Sequence, residues 1–251
     1  RDAGEAIFPN AAWCDVLLRR APRQSSGVLA KTGDSVNDIT NALLESDNSY
    51  IAVQGPPGTG KTYVGAHVIS KLVTLGWKIG VVAQSHAVVE NLMDSVKKNN
   101  PNTPMAKKGQ SAKNRPSYHV DDVANWAAGK VGSGYVIGGT TWTFSKTDVR
   151  LLDLDLMVID EAGQYSLANS LAVISAAKRA LLLGDPQQLP QVSQGNHPEP
   201  VNESALSHLL GTNKTMPDHL GFFLDTTFRL HPKLAAPVSR LQYEDRLHSD
   251  A

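Results

Sequence analysis

The sequence predicts an α/β domain built on a mainly parallel sheet with helices on both faces. Three observations predict it. Short apolar runs alternate with amphipathic segments along most of the chain; one such junction carries the complete phosphate-loop pattern G-x-x-x-x-G-K-[ST] from Gly55 to Thr62; and two later apolar runs end on an acid, "VIDE" at Asp160 and "LLGD" at Asp185. Alternating strands and helices bury best as a parallel sheet covered on both sides, with ligands at the carboxyl ends of the strands.

Residues 1–49 read as a helical lead-in. Tyr50 to Gln54 forms a short buried strand, a glycine-rich turn follows, and Val64, Val68, Ile69 and Leu72 then fall on one helical face. Next come "KIGVVA" as strand and "HAVVENLMDSV" as helix. The stretch 99–134, rich in Pro, Asn, Gly and Lys, looks like an insertion on the sheet. After it the pattern resumes: strand "YVIGG", strand "DLMVIDE", helix "SLANSLAVISAAK", strand "RALLLGD", strand "GFFLDTT" and helix "HPKLAAPVSRLQ". The domain is thus expected to span 50–245, with 246–251 starting a linker. The chain opens on Arg1 rather than methionine, and it is read as a piece of a longer protein.

Each motif carries its own chemistry. In Gly55-Pro56-Pro57-Gly58-Thr59-Gly60-Lys61-Thr62 the glycines let backbone N–H groups curl around phosphate oxygens, and the following helix offers its positive end to the same anion. Lys61 would reach the β- and γ-phosphates, and the Thr62 hydroxyl would ligate Mg²⁺. Asp160 would hold that magnesium through water, and Glu161 would polarise the water that attacks the γ-phosphate. Two adjacent carboxylates are tolerable there because the metal and Lys61 compensate their charge. Gln164 follows the first acid pair, and Gln187 and Gln188 follow Asp185, as neutral groups suited to a γ-phosphate oxygen or the attacking water. Phe228 and Arg229 offer an aromatic face and a guanidinium.

Composition sets bounds. Lys and Arg total 24, as do Asp and Glu, so zero net charge advertises no nucleic-acid or membrane partner, and any such contact must be local. The single cysteine, Cys14, has no internal disulfide partner, and the eight histidines lack zinc-ligand spacing, which suits a reducing, cytoplasmic setting. No apolar run approaches the roughly 18 residues of a membrane span.

Taken together these motifs resemble those of superfamily 1 helicases, particularly the mRNA-surveillance and Okazaki-fragment-processing group and bacterial relatives fused to a RecB-type nuclease. "GPPGTGKT" is similar to motif I, "VVAQSHAVVENLM" to Ia, "VIGGTTWTF" to the next strand-end motif, "VIDEAGQ" to II, "LLGDPQQLPQV" to III and "TTFRLHP" to the family's Q-Y-R-M-H-P. The resemblance covers residues 50–245 and implies the first RecA-like motor domain of a two-domain motor, using ATP and Mg²⁺ on single-stranded DNA or RNA. It implies that Gln164 and Gln188 sense the γ-phosphate, that Phe228 stacks on adenine and that Arg229 contacts the γ-phosphate. Ser85 with His86, and Thr140 with Thr141, would line the single-strand groove and touch phosphates rather than bases.

The alternatives are concrete. Ser85 and His86 suit capping of the helix at Ala87, Thr140 and Thr141 suit an ordinary turn, and His231 with Pro232 suits a helix start. The stretch Lys97–Arg115, with six basic residues and no acid, suits either a solvated loop or a nucleic-acid contact. A phosphotransferase or a slow nucleotide switch would share the phosphate loop. The sequence also departs from the family: "DSVNDITNALL" lacks the expected adenine-gripping glutamine, Thr227 and Phe228 replace Q-Y, and the stretch stops at Ala251, soon after the arginine motif and without the later helicase motifs. The chain alone is therefore expected to hydrolyse ATP poorly, because the partner domain that orients Arg229 is absent from it.

Overall fold

The computed structural model of the chain describes residues 8–109, 116–189 and 198–250. Within them, eight strands form one sheet: β1 (Tyr50–Gln54), β2 (Lys78–Val82), β3 (Met105–Lys108), β4 (His119–Val120), β5 (Tyr135–Gly139), β6 (Leu154–Asp160), β7 (Ala177–Gly184) and β8 (Gly221–Phe223). Their spatial order is β4-β3-β5-β2-β6-β7-β1-β8, and every pairing is parallel. The chain leaves β1 in one direction to reach β2 and returns on its other side at β8, so β1 sits at a reversal of strand order, where ligands of such sheets bind.

Strand alternation divides the core. Ile51, Val53, Ile79 and Val81 face one layer, made by α2 (Ser35–Glu45), α3 (Lys61–Thr74) and α4 (His86–Asn99) through Leu43, Val68, Leu72 and Leu92. Tyr50, Ala52, Ile137 and Leu182 face the other, where α1 (Ala12–Leu17), α5 (Val123–Ala128), α8 (Leu167–Ile174) and α9 (Ala205–Leu210) pack. The face expected of the first long helix is buried as its spacing requires, with Val68, Ile69 and Leu72 fully covered. Each such aliphatic side chain contributes about 1.5–3 kcal/mol by leaving water.

Several boundaries differ from the sequence reading. The helix expected through Lys178 ends at Ile174, because Ala177 already pairs with Leu154 of β6 and Lys178 reaches Asp153 and Asp155. The "GFFLDTT" run divides: β8 ends at Phe223, and Thr226–Thr227 forms β9, which pairs with β10 (His248–Ser249). The stretch 99–134 contributes β3, β4 and α5, so much of it extends the main sheet rather than lying on it.

The basic stretch is no uniform charged face. Lys107 is fully buried with Nζ 2.8 Å from Glu90, and Lys97 bonds the Ser117 hydroxyl, whereas Lys108 is exposed. Lys113 and Arg115 of that stretch lie outside the described residues, as do Pro190 to Val192 of the "GDPQQLPQV" motif and residues 1–7. No helix among the described residues is long and apolar enough to cross a membrane.

Candidate functional site: a nucleotide pocket and a neighbouring cleft

Parallel register brings the motifs level. Gln54 pairs with Gly184, and Asp160 with Leu183, so the ends of β1, β6 and β7 open onto one edge of the sheet. From β1 the chain turns through Gly58 (φ 81°) and Gly60 (φ 79°) into α3, both in the left-handed region that glycine enters without strain. Lys61, the first residue of α3, folds back so that its Nζ donates to the Gly55 carbonyl at 2.7 Å. A Cβ on Gly55 would stand 2.4 Å from the Lys61 Cγ, so the glycine leaves the room that side chain needs. Thr59 closes the turn by donating its hydroxyl to the Pro56 carbonyl.

At the end of β6, Asp160 is only 2% exposed. Burial, reinforced by the charge of Glu161, pushes its carboxyl up to about 6, against the opposing pull of the Glu161 N–H and of Lys61. Glu161 itself has φ 55°, a left-handed conformation that costs a non-glycine residue about 1–3 kcal/mol and is found at functional sites. Its carbonyl accepts the Gln164 N–H at 2.8 Å, which turns the chain sharply away from the strand.

Two glycines lock this turn to its neighbour. A Cβ on Gly163 would lie 2.3 Å from the Asp185 carbonyl oxygen, and one on Gly184 2.4 Å from the Gly163 nitrogen. The β6 and β7 ends therefore touch backbone to backbone. Asp185, 1% exposed, then gathers the Gln187 N–H, the Gln188 side-chain amide and the Tyr243 hydroxyl, the last at 2.7 Å. Tyr243 was not singled out by the sequence; its hydroxyl is held well above its ordinary pKa by burial first and by Asp185 second. No local signal marks it, since it reaches Asp185 from the end of α10 (Pro232–Gln242).

The Phe228–Arg229 motif is tied directly to the phosphate loop. The Phe228 N–H donates to the Gly58 carbonyl at 3.0 Å, and the Thr227 hydroxyl to the Pro57 carbonyl at 2.8 Å. A Cβ on Gly58 would fall 2.4 Å from the Cβ of Arg229. The backbone carrying Arg229 is thus fixed within this chain, while its side chain is exposed. His231 does start a helix, α10, by accepting the Lys233 N–H.

These elements enclose a cavity of about 440 Å³ lined by Pro57, Gly58, Gly60, Lys61, Thr62, Glu161, Gln188, Phe228 and Arg229. Asp160 lies behind its lining, linked by charge to Lys61 and Glu161. Its buried carboxylate, destabilised by lack of solvation, and the hydroxyl of Thr62 are hard oxygen donors that fit a magnesium ion completed by phosphate and water. Gln187 does not join the cavity, because its side-chain amide donates to the Lys214 carbonyl. Gln164 is also absent from the lining; its carbonyl accepts the Gln84 side chain, which places it between the nucleotide pocket and the end of β2.

A second cleft, about 290 Å³, opens beyond β2 and β5 and contains His86, Lys108, Gly109, Gly139, Thr140, Trp142, Thr143 and Lys146. Of the four residues expected in a strand groove, His86 and Thr140 line it. Ser85 and Thr141 do not. Ser85 caps α4 by accepting the Val88 N–H, and the Thr141 hydroxyl bonds Tyr165 beneath the one-turn helix α6 (Thr141–Phe144). Burial, and then the charge of Lys107, lowers the pKa of His86 and so favours its neutral form. Trp142, the most exposed ring in this region, had no signal in the sequence beyond being an aromatic next to two threonines.

The AAA domain family model matches residues 36–210. The DNA replication ATP-dependent helicase/nuclease DNA2 of Saccharomyces cerevisiae is 30% identical over 151 residues, covering 56% of this chain and 10% of that protein. Its Xenopus laevis counterpart is 25% identical over 226 residues, 83% of this chain and 20% of the relative. The chain therefore spans at most about a fifth of these relatives. An arterivirus nonstructural protein 10 helicase, solved in complex with DNA, superposes with a TM-score of 0.53 over 82% of this chain and 43% of its own; at 15% identity the likeness is one of fold. The chain belongs to the AAA domain family, as a RecA-like domain of the superfamily 1 helicase type.

Proposed function

We propose that this chain is the ATP-binding and hydrolysing domain of a helicase motor, which together with a second RecA-like domain couples ATP hydrolysis to movement along single-stranded DNA or RNA. The observation that carries this reading is the single cavity in which Lys61, Thr62, Glu161, Gln188, Phe228 and Arg229 meet. The phosphate-loop N–H groups and Lys61 hold the triphosphate. Thr62 and Asp160 would hold Mg²⁺, the latter through water, and the bound ion would supply positive charge against the negative charge that develops on the phosphoryl oxygens. Glu161 takes the proton of the attacking water, Gln188 orients that water or a γ-phosphate oxygen, Phe228 stacks on adenine, and Arg229 neutralises charge on the transferred group. Gln164, between the pocket and the end of β2, relays the state of the γ-phosphate to the strand cleft, where His86 and Thr140 contact phosphates. A cytoplasmic setting fits the single buried thiol of Cys14.

This reading follows the relatives named as helicases, but its support lies in the assembly of the pocket. It is tested by ATP turnover of a protein that joins this chain to its second domain, with and without single-stranded oligonucleotide. Strand-stimulated turnover is expected. Turnover indifferent to nucleic acid would replace the motor by a nucleotide switch, and phosphoryl transfer to another acceptor would replace it by a phosphotransferase.

A further inference from the structure

Trp142 is 84% exposed although its neighbour Phe144 is fully buried in the same single turn of helix. That turn is pinned from below. A Cβ on Gly139 would lie 2.6 Å from Thr143, so α6 sits directly on the end of β5, and a Cβ on Gly80 would meet the Phe144 ring at 2.9 Å. The Thr141–Tyr165 hydrogen bond fastens it to the segment that follows β6. A large indole held out on so rigid a turn contributes nothing to the core, and exposing it to water is unfavourable. It stands in the cleft with two exposed lysines, Lys108 and Lys146, and with His86.

A smaller cavity of about 130 Å³ shares Lys108 and Lys146 with the cleft and is also lined by Asp121, Asp122 and Asp148. Asp122 caps α5, accepting the Ala124 and Asn125 N–H groups, and Asp148 accepts the Val149 N–H. An aromatic face flanked by cations on one side of a cleft is the arrangement that binds unpaired bases between phosphates, and stacking accepts any base.

We propose that Trp142 is a stacking platform for one base of a single strand, with Lys108 and Lys146 holding the adjacent phosphates. The proposal rests on the helicase reading and adds to it: this domain then grips bases as well as phosphates, through a residue outside the motif positions expected to line the groove. Lys108 comes from β3, so the strand-forming insertion supplies part of the grip.

The test measures binding of the 251-residue chain to a labelled oligothymidylate, an oligouridylate and an abasic oligodeoxynucleotide of equal length. Thermal unfolding of each variant checks that it is folded. The unmutated chain should bind the base-bearing strands more tightly than the abasic one. Trp142→Ala should weaken binding to the base-bearing strands about 10- to 100-fold and remove the preference over the abasic strand, with Trp142→Phe keeping part of it. Lys146→Ala should weaken all three strands alike and lower the salt slope by about one. Failure of the unmutated chain to bind any of the three would overturn the helicase reading itself. Binding that is normal but unchanged in a folded Trp142→Ala chain would overturn the stacking proposal alone.

Discussion

The pocket at the phosphate loop and the cleft beside Trp142 lie along one edge of the same sheet, yet they are built differently. The pocket is made by motifs that fasten to one another at the backbone: the Phe228 N–H to the Gly58 carbonyl, the Thr227 hydroxyl to the Pro57 carbonyl, and Gly163 against the Asp185 backbone. Its chemical groups cannot drift apart without breaking the sheet ends. The cleft is made by side chains, Trp142, Lys108, Lys146 and His86, gathered from separate elements. A preassembled pocket suits a ligand of fixed shape, the triphosphate, whereas an open cleft with long side chains suits a flexible polymer that must be bound and released. The difference teaches where substitutions should be severe and where they should be graded.

The largest effect is expected at Glu161. Glu161→Gln keeps the shape of the side chain but removes the base, so in a two-domain protein turnover should fall about 10²- to 10⁴-fold with nucleotide affinity retained, as followed by phosphate release. A loss of binding instead would mean that Glu161 serves the ground state. Lys61→Ala should come next, weakening a fluorescent ATP analogue about 100-fold, because charge-assisted contacts to the triphosphate are lost. A similar effect from a cleft lysine would erase the contrast between the two regions.

Asp160 gives a pH signature. Its folded-state pKa is raised from 3.8 to about 6, so the folded chain holds this proton more tightly than the unfolded one. The stability it adds is complete below about pH 4 and is lost as pH rises through 6, on the order of 2–3 kcal/mol. In metal-free buffer at neutral pH, Asp160→Asn should therefore raise the melting temperature and flatten the stability profile between pH 4 and 6, as read by thermal scans. A lower melting temperature would show that the carboxylate is stabilised by contacts other than those described.

The smallest effect concerns the glycine clamp. Gly163→Ala forces a methyl group against the Asp185 backbone and should cost about 1–3 kcal/mol, or several degrees of melting temperature. Gly129→Ala, at φ −76° with its nearest neighbour at 3.4 Å, should be close to neutral. Equal losses would mean that the β6 and β7 ends are not packed as tightly as their geometry requires.

The same contrast explains what the sequence revealed. The phosphate loop was legible because everything it needs is local: a strand, glycines at φ near +80°, and a lysine and threonine opening a helix. The acid pair at Asp160–Glu161 was legible for the same reason, since a strand end fixes where its next residue points. The roles of Gly163 and Tyr243 were not, because each depends on Asp185, which is distant in sequence. Nor was Trp142, whose exposure follows from the burial of Phe144 two residues on. The helix expected through Lys178 failed because Ala177 is claimed by pairing to β6, an interaction that helical periodicity does not register.

The central claim is that a complete nucleotide site resides in this chain. Isothermal titration of the 251-residue chain with ATP and magnesium addresses it most directly. One ATP per chain should bind, and omission of magnesium should weaken the binding. The absence of any binding heat at millimolar nucleotide, with the chain folded, would contradict it.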